Sequence, residues 1–354
     1  MALELAFEVG TSAGTVGADG HMDFFERGLL KPAEPGQLLG RWLSCDVEPG
    51  VRSASKLRLG AGVVFENDGS VRATRAGVVL YKPGDLLDVV AEHVHQGAVD
   101  LRTGHLDMHG SLVVKGDVER LLQVRATGDL EVLGSVSGGS LRAGGSIRVS
   151  GSVRGGDGSS VVATHDATIK SCESANVSAG GKLSVQEAVS SELCGGELVV
   201  TGRLRGGSAN AERRLSVKEA GTATGMVTEL RAGEPVTLPD SSEVQRAVMM
   251  QKLRRMAERG GVRDAFGGRG GRAKGGKLGR LNAALSAEEL RERAEHAEQR
   301  ALLERSAVIE LGLGHAGVAL CIGRARLLLE QDTRGLRYAL DSETGQLRAE
   351  RTLR

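Results

Sequence analysis

Few of the residues in this chain that could do chemistry are spaced to form a site. The densest run is GGVRDAFGGRGGRAKGGKLGR over 260–280, with nine glycines, six basic residues and one acid. Arg269, Arg272, Lys274, Lys277 and Arg280 could neutralise successive phosphates of a polyanion, and the glycines free the backbone to follow one. A nucleic-acid grip would also want rings for base stacking, and the tract offers Phe266 alone. The tract therefore reads as a loop between two helices. His93 and His95 in AEHVHQ lie two apart, on one face of a strand, as a pair of metal ligands would. No further His or Cys is spaced to complete four ligands, so they read as surface histidines, and neither metal nor cofactor is expected. His105, His109 and His165 fall at turns with no nucleophile beside them. None of the Gly-Gly pairs forms GxxxxGK[ST] or opens a helix, so they read as corners rather than phosphate cradles. Cys45, Cys172, Cys194 and Cys321 show no CxxC spacing, and scattered thiols suit a reducing cytosol.

Composition narrows the elements that could position such residues. Aromatics are 2% of 354 residues while glycine reaches 52. Most globular cores take much of their buried area from rings. A core here must be built from stacked aliphatics with glycine at the bends, which favours a repetitive β architecture. The 46 basic and 45 acidic residues nearly cancel, so no global field demands a nucleic acid or a membrane. MALELAFEVG lacks the basic stretch of a signal peptide, and no window approaches the ~18 apolar residues of a membrane span. A cytoplasmic protein without membrane insertion is the expectation.

One phrase recurs along the middle of the chain: apolar, any, Ala, Gly, Gly or Asp, apolar, any, Val. It appears as VRATGDLEV (124–132), LRAGGSIRV (141–149), VVATHDATI (161–169), VSAGGKLSV (177–185), LCGGELVV (193–200) and ANAERRLSV (209–217), after a partial copy GSLVVKGDV (110–118). A first inward column reads Leu112, Leu130, Ile147, Ala167, Leu183, Leu198 and Leu215, with steps of 15 to 20 residues. A second reads Val114, Val132, Val149, Ile169, Val185, Val200 and Val217. Apolar residues at i and i+2 are the inward positions of a short strand. A period near 17 divides into three strands and three corners, one turn of a β-solenoid whose turns share a core by stacking like on like. The step length varies too much for the strict six-residue beat of a left-handed hexapeptide coil. The fold class is therefore mainly β, a right-handed parallel β-helix.

The stretch GAVDLRTGHLDMHGSLVVKGDV (97–118) resembles the opening of the solenoid in the bacterial flagellar assembly protein A family. Gly97, Val99, Asp100, Thr103, Gly104, Gly110, Val114, Gly116, Asp117 and Val118 match, while His105 and Met108 replace an asparagine and an aromatic. The family's A-G-G-D-I phrase recurs at 143–147 and 179–183, with Ser146 and Lys182 where it prefers Asp. HAGVALCIG (315–323) resembles the strand with which the family returns from a helical insertion.

The flanks complete the division. Residues 1–96 resemble an abbreviated β-rich N-terminal domain of that family, expected to close one solenoid end; the β-helix then spans 97–238. Asp240 with Glu243, and Ser286 with Glu289, are capping-box pairs. They predict an antiparallel helical hairpin within 239–311, with arms near 242–259 and 287–310 and the Gly/Arg-rich loop 260–285 between them. Leu290, Ala294, Ala297, Ala301 and Val308 would form the second arm's coiled-coil seam. Residues 312–354 read as a C-terminal β segment capping the solenoid.

The outward positions Glu131, Arg148 and Ser184 are mixed, with no paired Asp column and no aromatic platform for sugars, so no enzyme is expected. The resemblance implies a cytoplasmic scaffold or regulator in flagellar assembly or placement, acting through contacts with motility, polar or regulatory proteins. Studied family members are tied to the cell pole and to a sugar-phosphotransferase regulator. A homo-oligomer fits too, and nucleic acid is the less favoured partner. The rivals are a polymer-forming solenoid akin to bactofilins, a polyanion binder using the basic loop, and a carbohydrate enzyme.

Overall fold

The computed structural model describes residues 2–7, 15–16, 22–23, 25, 27–43, 57–83, 85–156, 159–238, 295–341 and 343–351. The inward alternation of the repeat folds as parallel β-ladders. Ser111–Val114 pairs in parallel with Leu130–Val132, that strand with Ile147–Arg154, and that with Ala167–Glu173, so Leu112, Leu130, Ile147 and Ala167 stand in register. The ladder continues from Ala167 to Leu183 and from Ile169 to Val185. Every residue of both columns from Leu112 to Val217 is at most 2% exposed, Leu198 and Val200 included, and all but Ala167 are large aliphatics. A second ladder runs through Leu106–Met108, Gln123–Ala126, Ser140–Ala143, Val161–Ala163 and onward. It turns the alanines of the repeat inward as Ala126, Ala143, Ala163 and Ala179. A third column is Val118, Val136, Val153, Cys172 and Ala188. The architecture is a parallel β-solenoid with an aliphatic core.

The repeat's Asp and Gly have a joint cause. Asp129 accepts the backbone N–H of Ser146 one turn later at 2.7 Å, and a Cβ on Gly145 would collide with the same carboxylate oxygen. Asp166 with Gly181 and Lys182, and Asp117 with Gly134 and Ser135, repeat the arrangement. Each carboxylate caps the corner of the following turn and so requires glycine there. At another corner the chain takes positive φ at Ser174, Ser190 and Gly206, and Leu121 does so with φ 65° while 64% exposed.

The helical expectation is met only in part. The described residues hold one helix, 295–306, and the arm near 242–259 lies outside them. The second arm does not reach 310: Val308 opens the strand Val308–Gly314, with Ile309 and Leu311 in register with Leu215 and Val217. β-branched alternation and an open ladder edge win over helix continuation here. Val308 is therefore no part of a coiled-coil seam, and Ala297 and Ala301 are exposed among the described residues. The solenoid itself resumes after the excursion, since Thr228–Ala232 pairs in parallel with both Gly207–Ala211 and Val318–Ile322. The chain thus leaves the ladder after Ala232, opposite Ala211, and rejoins it at Val308, opposite Arg214.

The two ends are closed differently. Residues before the solenoid form two four-stranded sheets around Ala33, Leu39, Val71, Leu87 and Val89. Leu30 and Val78 of that region belong to the solenoid's core cluster, and Phe25 packs against it. Asp100 accepts the N–H groups of Arg102 and Thr103, and Gly104 takes φ 72° beside the Phe25 carbonyl, where any Cβ would collide. The matched V-D-x-x-T-G residues are thus the turn that seats the N-terminal region. At the far end the chain reverses: Thr333–Leu340 pairs antiparallel with Val308–Gly314, and Leu347–Arg351 covers it in turn. Tyr338, 1% exposed, and Leu329 fill the end of the core.

Candidate binding surface

With the apolar positions consumed by the core, the solenoid presents outward ladders. Along one face these read Glu131, Arg148, Thr168 and Ser184 in register, then Ser216 beside Glu310. Beside the last of these, Arg214 donates to Glu310 at 2.8 Å, which raises the guanidinium's pKa. Along another face, Arg125 and Arg142 give way to a groove of about 460 Å³. Its lining includes Ser160, Asn176, Ser178, Cys194 and Asn210, with Thr237 from the segment that leaves the solenoid. The Asn210 Oδ1 is buried without a hydrogen-bond partner among the described residues.

Several groups able to act as nucleophile or base are held in other roles among the described residues. Burial pushes the Cys172 thiol up to about 12. Burial first, then Glu234 and Glu212, raise Cys194; burial and then Glu229 raise Cys321. None of the three is a thiolate poised for attack. Glu229 is held below the usual carboxylate range, first by the hydrogen bond from Arg231. His315 has Nδ1 3.2 Å from Asp332 and Nε2 3.6 Å from Glu219. Both ring nitrogens face carboxylates, so neither is turned to a nucleophile as a general base requires. Sequence reading missed this pairing, because Glu219, His315 and Asp332 lie in three separate strands or turns and no spacing rule joins them. Among the described residues, no three His, Cys, Asp or Glu are placed to hold a metal.

His93 and His95, read as surface histidines, are both half-buried. His93 and His95 lie in register with Leu112 and Val114, heading the two inward columns on the first strand of the solenoid. His105 stacks on Phe25 with ring centroids 5.3 Å apart, and His109 meets Glu34 at 3.2 Å. His165 is exposed at its corner. The basic residues Arg269, Arg272, Lys274, Lys277 and Arg280 lie outside the described residues.

The parallel ladders, the Asp–Gly corners and the V-D-x-x-T-G turn coincide with the stretch that a family model recognises: the flagellar assembly protein A β-solenoid domain matches residues 91–259. Residues 91–259 carry the β-solenoid domain of the flagellar assembly protein A family. No curated protein and no solved structure matches the chain. Within the family domain, the Asp100–Thr103 turn has its role in this fold, joining the solenoid to what precedes it. The match begins at residue 91, one position before the strand Glu92–His95 that carries the histidine pair. No helix among the described residues is long and apolar enough to cross a membrane.

Proposed function

We propose that this chain is a non-enzymatic, cytoplasmic scaffold or regulator of flagellar assembly or of the polar placement of motility machinery. It acts by protein contacts along a right-handed solenoid, the hand that parallel strand–crossover–strand units take. The observation that carries the reading is the match to the family domain over 91–259, whose described residues lie in a solenoid covered at both ends. A filament built end to end needs bare, complementary ends. Here the outermost C-terminal strand, Leu347–Arg351, is largely exposed and carries Arg348, Glu350 and Arg351, the kind of charged edge that discourages strand addition. That favours a discrete particle over the bactofilin-like alternative.

Replacing the chromosomal copy with a deletion, in the source cell, tests the biological role. The scaffold reading expects altered flagellar number or placement, restored by the full chain and not by a Val185→Asp variant. Normal flagella in the deletion strain would overturn it. Sedimentation of the purified chain tests the alternative, since polymer growth with concentration would favour the filament. The polyanion reading is tested by mutating Arg269, Arg272, Lys274, Lys277 and Arg280 together to Gln. Binding that falls with salt at a slope near −0.7 to −0.9 per phosphate, and vanishes in this variant, would favour nucleic acid.

A further inference from the structure

After Ala232 the chain doubles back over the solenoid. Gly233 is the pivot: its N–H donates to the Ala211 carbonyl at 3.1 Å, its φ is 86°, and a Cβ there would meet the Glu304 Cα at 2.9 Å. From that pivot, residues 234–238 form a strap that reaches back to Gly180, where the Leu238 Cδ1 lies 3.5 Å from the place a Cβ would take. The strap is extended, with Glu234, Val236 and Leu238 half-buried and Pro235 and Thr237 exposed. Its hold is slight. Among the described residues no backbone group of 234–238 pairs with the ladder, and the Val236 N–H reaches only the Glu212 carboxylate, at 3.5 Å. Thr237 forms one side of the polar groove of the second ladder. The outward column there runs from Arg142 to Val162 and Ser178, and Asn210 stands beside Arg231 at the other end. Between those arginines the lining is short and hydroxyl- and amide-rich, with Glu192 its one charged group and no ring.

We infer that this face is a docking surface for an extended segment of a protein partner with apolar side chains two residues apart, and that the strap is its resident competitor. The inference rests on the protein-contact reading above and gives it a surface. Val236 and Leu238 show the spacing that the face accepts, since alternate side chains of an extended segment point the same way. The floor suits a main chain, because Asn amides and Ser hydroxyls both donate and accept, as peptide groups do. A sugar would want rings to lie on and a phosphate chain would want cations, and the lining holds neither. Two features of the closed state favour exchange. The Asn210 Oδ1 is buried without a hydrogen-bond partner among the described residues, a cost that a donor from a partner would relieve. Glu234 and Glu212 both bear on the Cys194 thiol, so the strap brings like charges together, with Arg231 attracting Glu234.

Cys194 lines the same groove and reports on the strap. In the purified full chain its labelling by N-ethylmaleimide is followed by mass spectrometry, with Cys172 and Cys321 as references. Val236→Ser with Leu238→Ser should raise the Cys194 rate by about fivefold or more while both references hold, because two half-buried aliphatic side chains keep the strap down. A synthetic peptide copying residues 233–240, GEPVTLPD, is then added to that variant at about 2 mM. It should slow Cys194 labelling by about twofold or more, and the same peptide with serine at both apolar positions should not. If the double variant loses hydrogen-exchange protection over 215–232, Leu238→Ser alone takes its place with the same expectations. An unchanged Cys194 rate in the variant would overturn the strap, and two peptides of equal effect would overturn the docking surface. Flagellation is not read here, so normal flagella in the deletion strain would remove the motility role and leave this surface standing.

Discussion

The two ends of the solenoid solve one problem by different means. At the C-terminal end the chain folds back on itself, and Tyr338 and Leu329 extend the aliphatic core until it is covered. At the N-terminal end the inward columns are headed by His93 and His95, and closure is left to a separate pair of sheets that contributes Leu30, Val78 and the half-buried Phe25. The first arrangement is apolar and continuous with the ladder. The second passes through imidazoles, a turn capped by Asp100 and one glycine at Gly104 that lets two backbones touch. The C-terminal closure is made by apolar burial, with His315 outside it against Glu219 and Asp332, whereas imidazoles take part in the N-terminal closure itself.

The largest effect expected lies between the ends and sets the scale for both. Val185→Asp buries an unpaired carboxylate between adjacent turns and should cost roughly 3–5 kcal/mol in denaturant unfolding. A loss below about 1 kcal/mol would mean that the turns do not share a core. Tyr338→Ala, at the C-terminal end, should cost about 3 kcal/mol or more, because a fully buried ring leaves a cavity. Phe25→Ala, at the other end, should cost only about 1–2 kcal/mol and release the N-terminal sheets to proteolysis while the solenoid stays intact. Similar costs at both ends would erase the contrast.

Smaller effects sharpen it. Leu121 holds a left-handed conformation that costs an L residue about 1–2 kcal/mol, while the equivalent corner elsewhere uses Ser174, Ser190 or Gly206. Leu121→Gly should therefore raise stability by roughly 0.5 kcal/mol, glycine's unfolded-chain entropy offsetting the remainder. Thermal unfolding reads the sign. Smallest of all, removal of 263–280 with a short Gly/Ser bridge should leave the melting temperature nearly unchanged, since loop closure varies slowly with length. A large loss there would mean that the tract packs against the body of the protein.

The sequence by itself determined the solenoid and its inward columns. Apolar residues at i and i+2 face one way on any strand, and stacking like on like needs only neighbouring turns, so Leu130, Ile147 and Leu183 announce their burial locally. The Asp129–Gly145 corner was visible as a phrase, though its cause, a carboxylate lodged beneath the glycine of the next turn, emerged only in three dimensions. Tertiary structure alone decided where the excursion over 233–307 leaves and rejoins the ladder. The pairing of Leu215 with Ile309 spans that excursion, and no local period encodes it. It also decided that Val308 is a strand residue rather than a helical knob, because an unfilled ladder edge outweighs helix propensity. For His93 and His95, alternation shows that they share a face, while register places those half-buried rings in line with Leu112 and Val114.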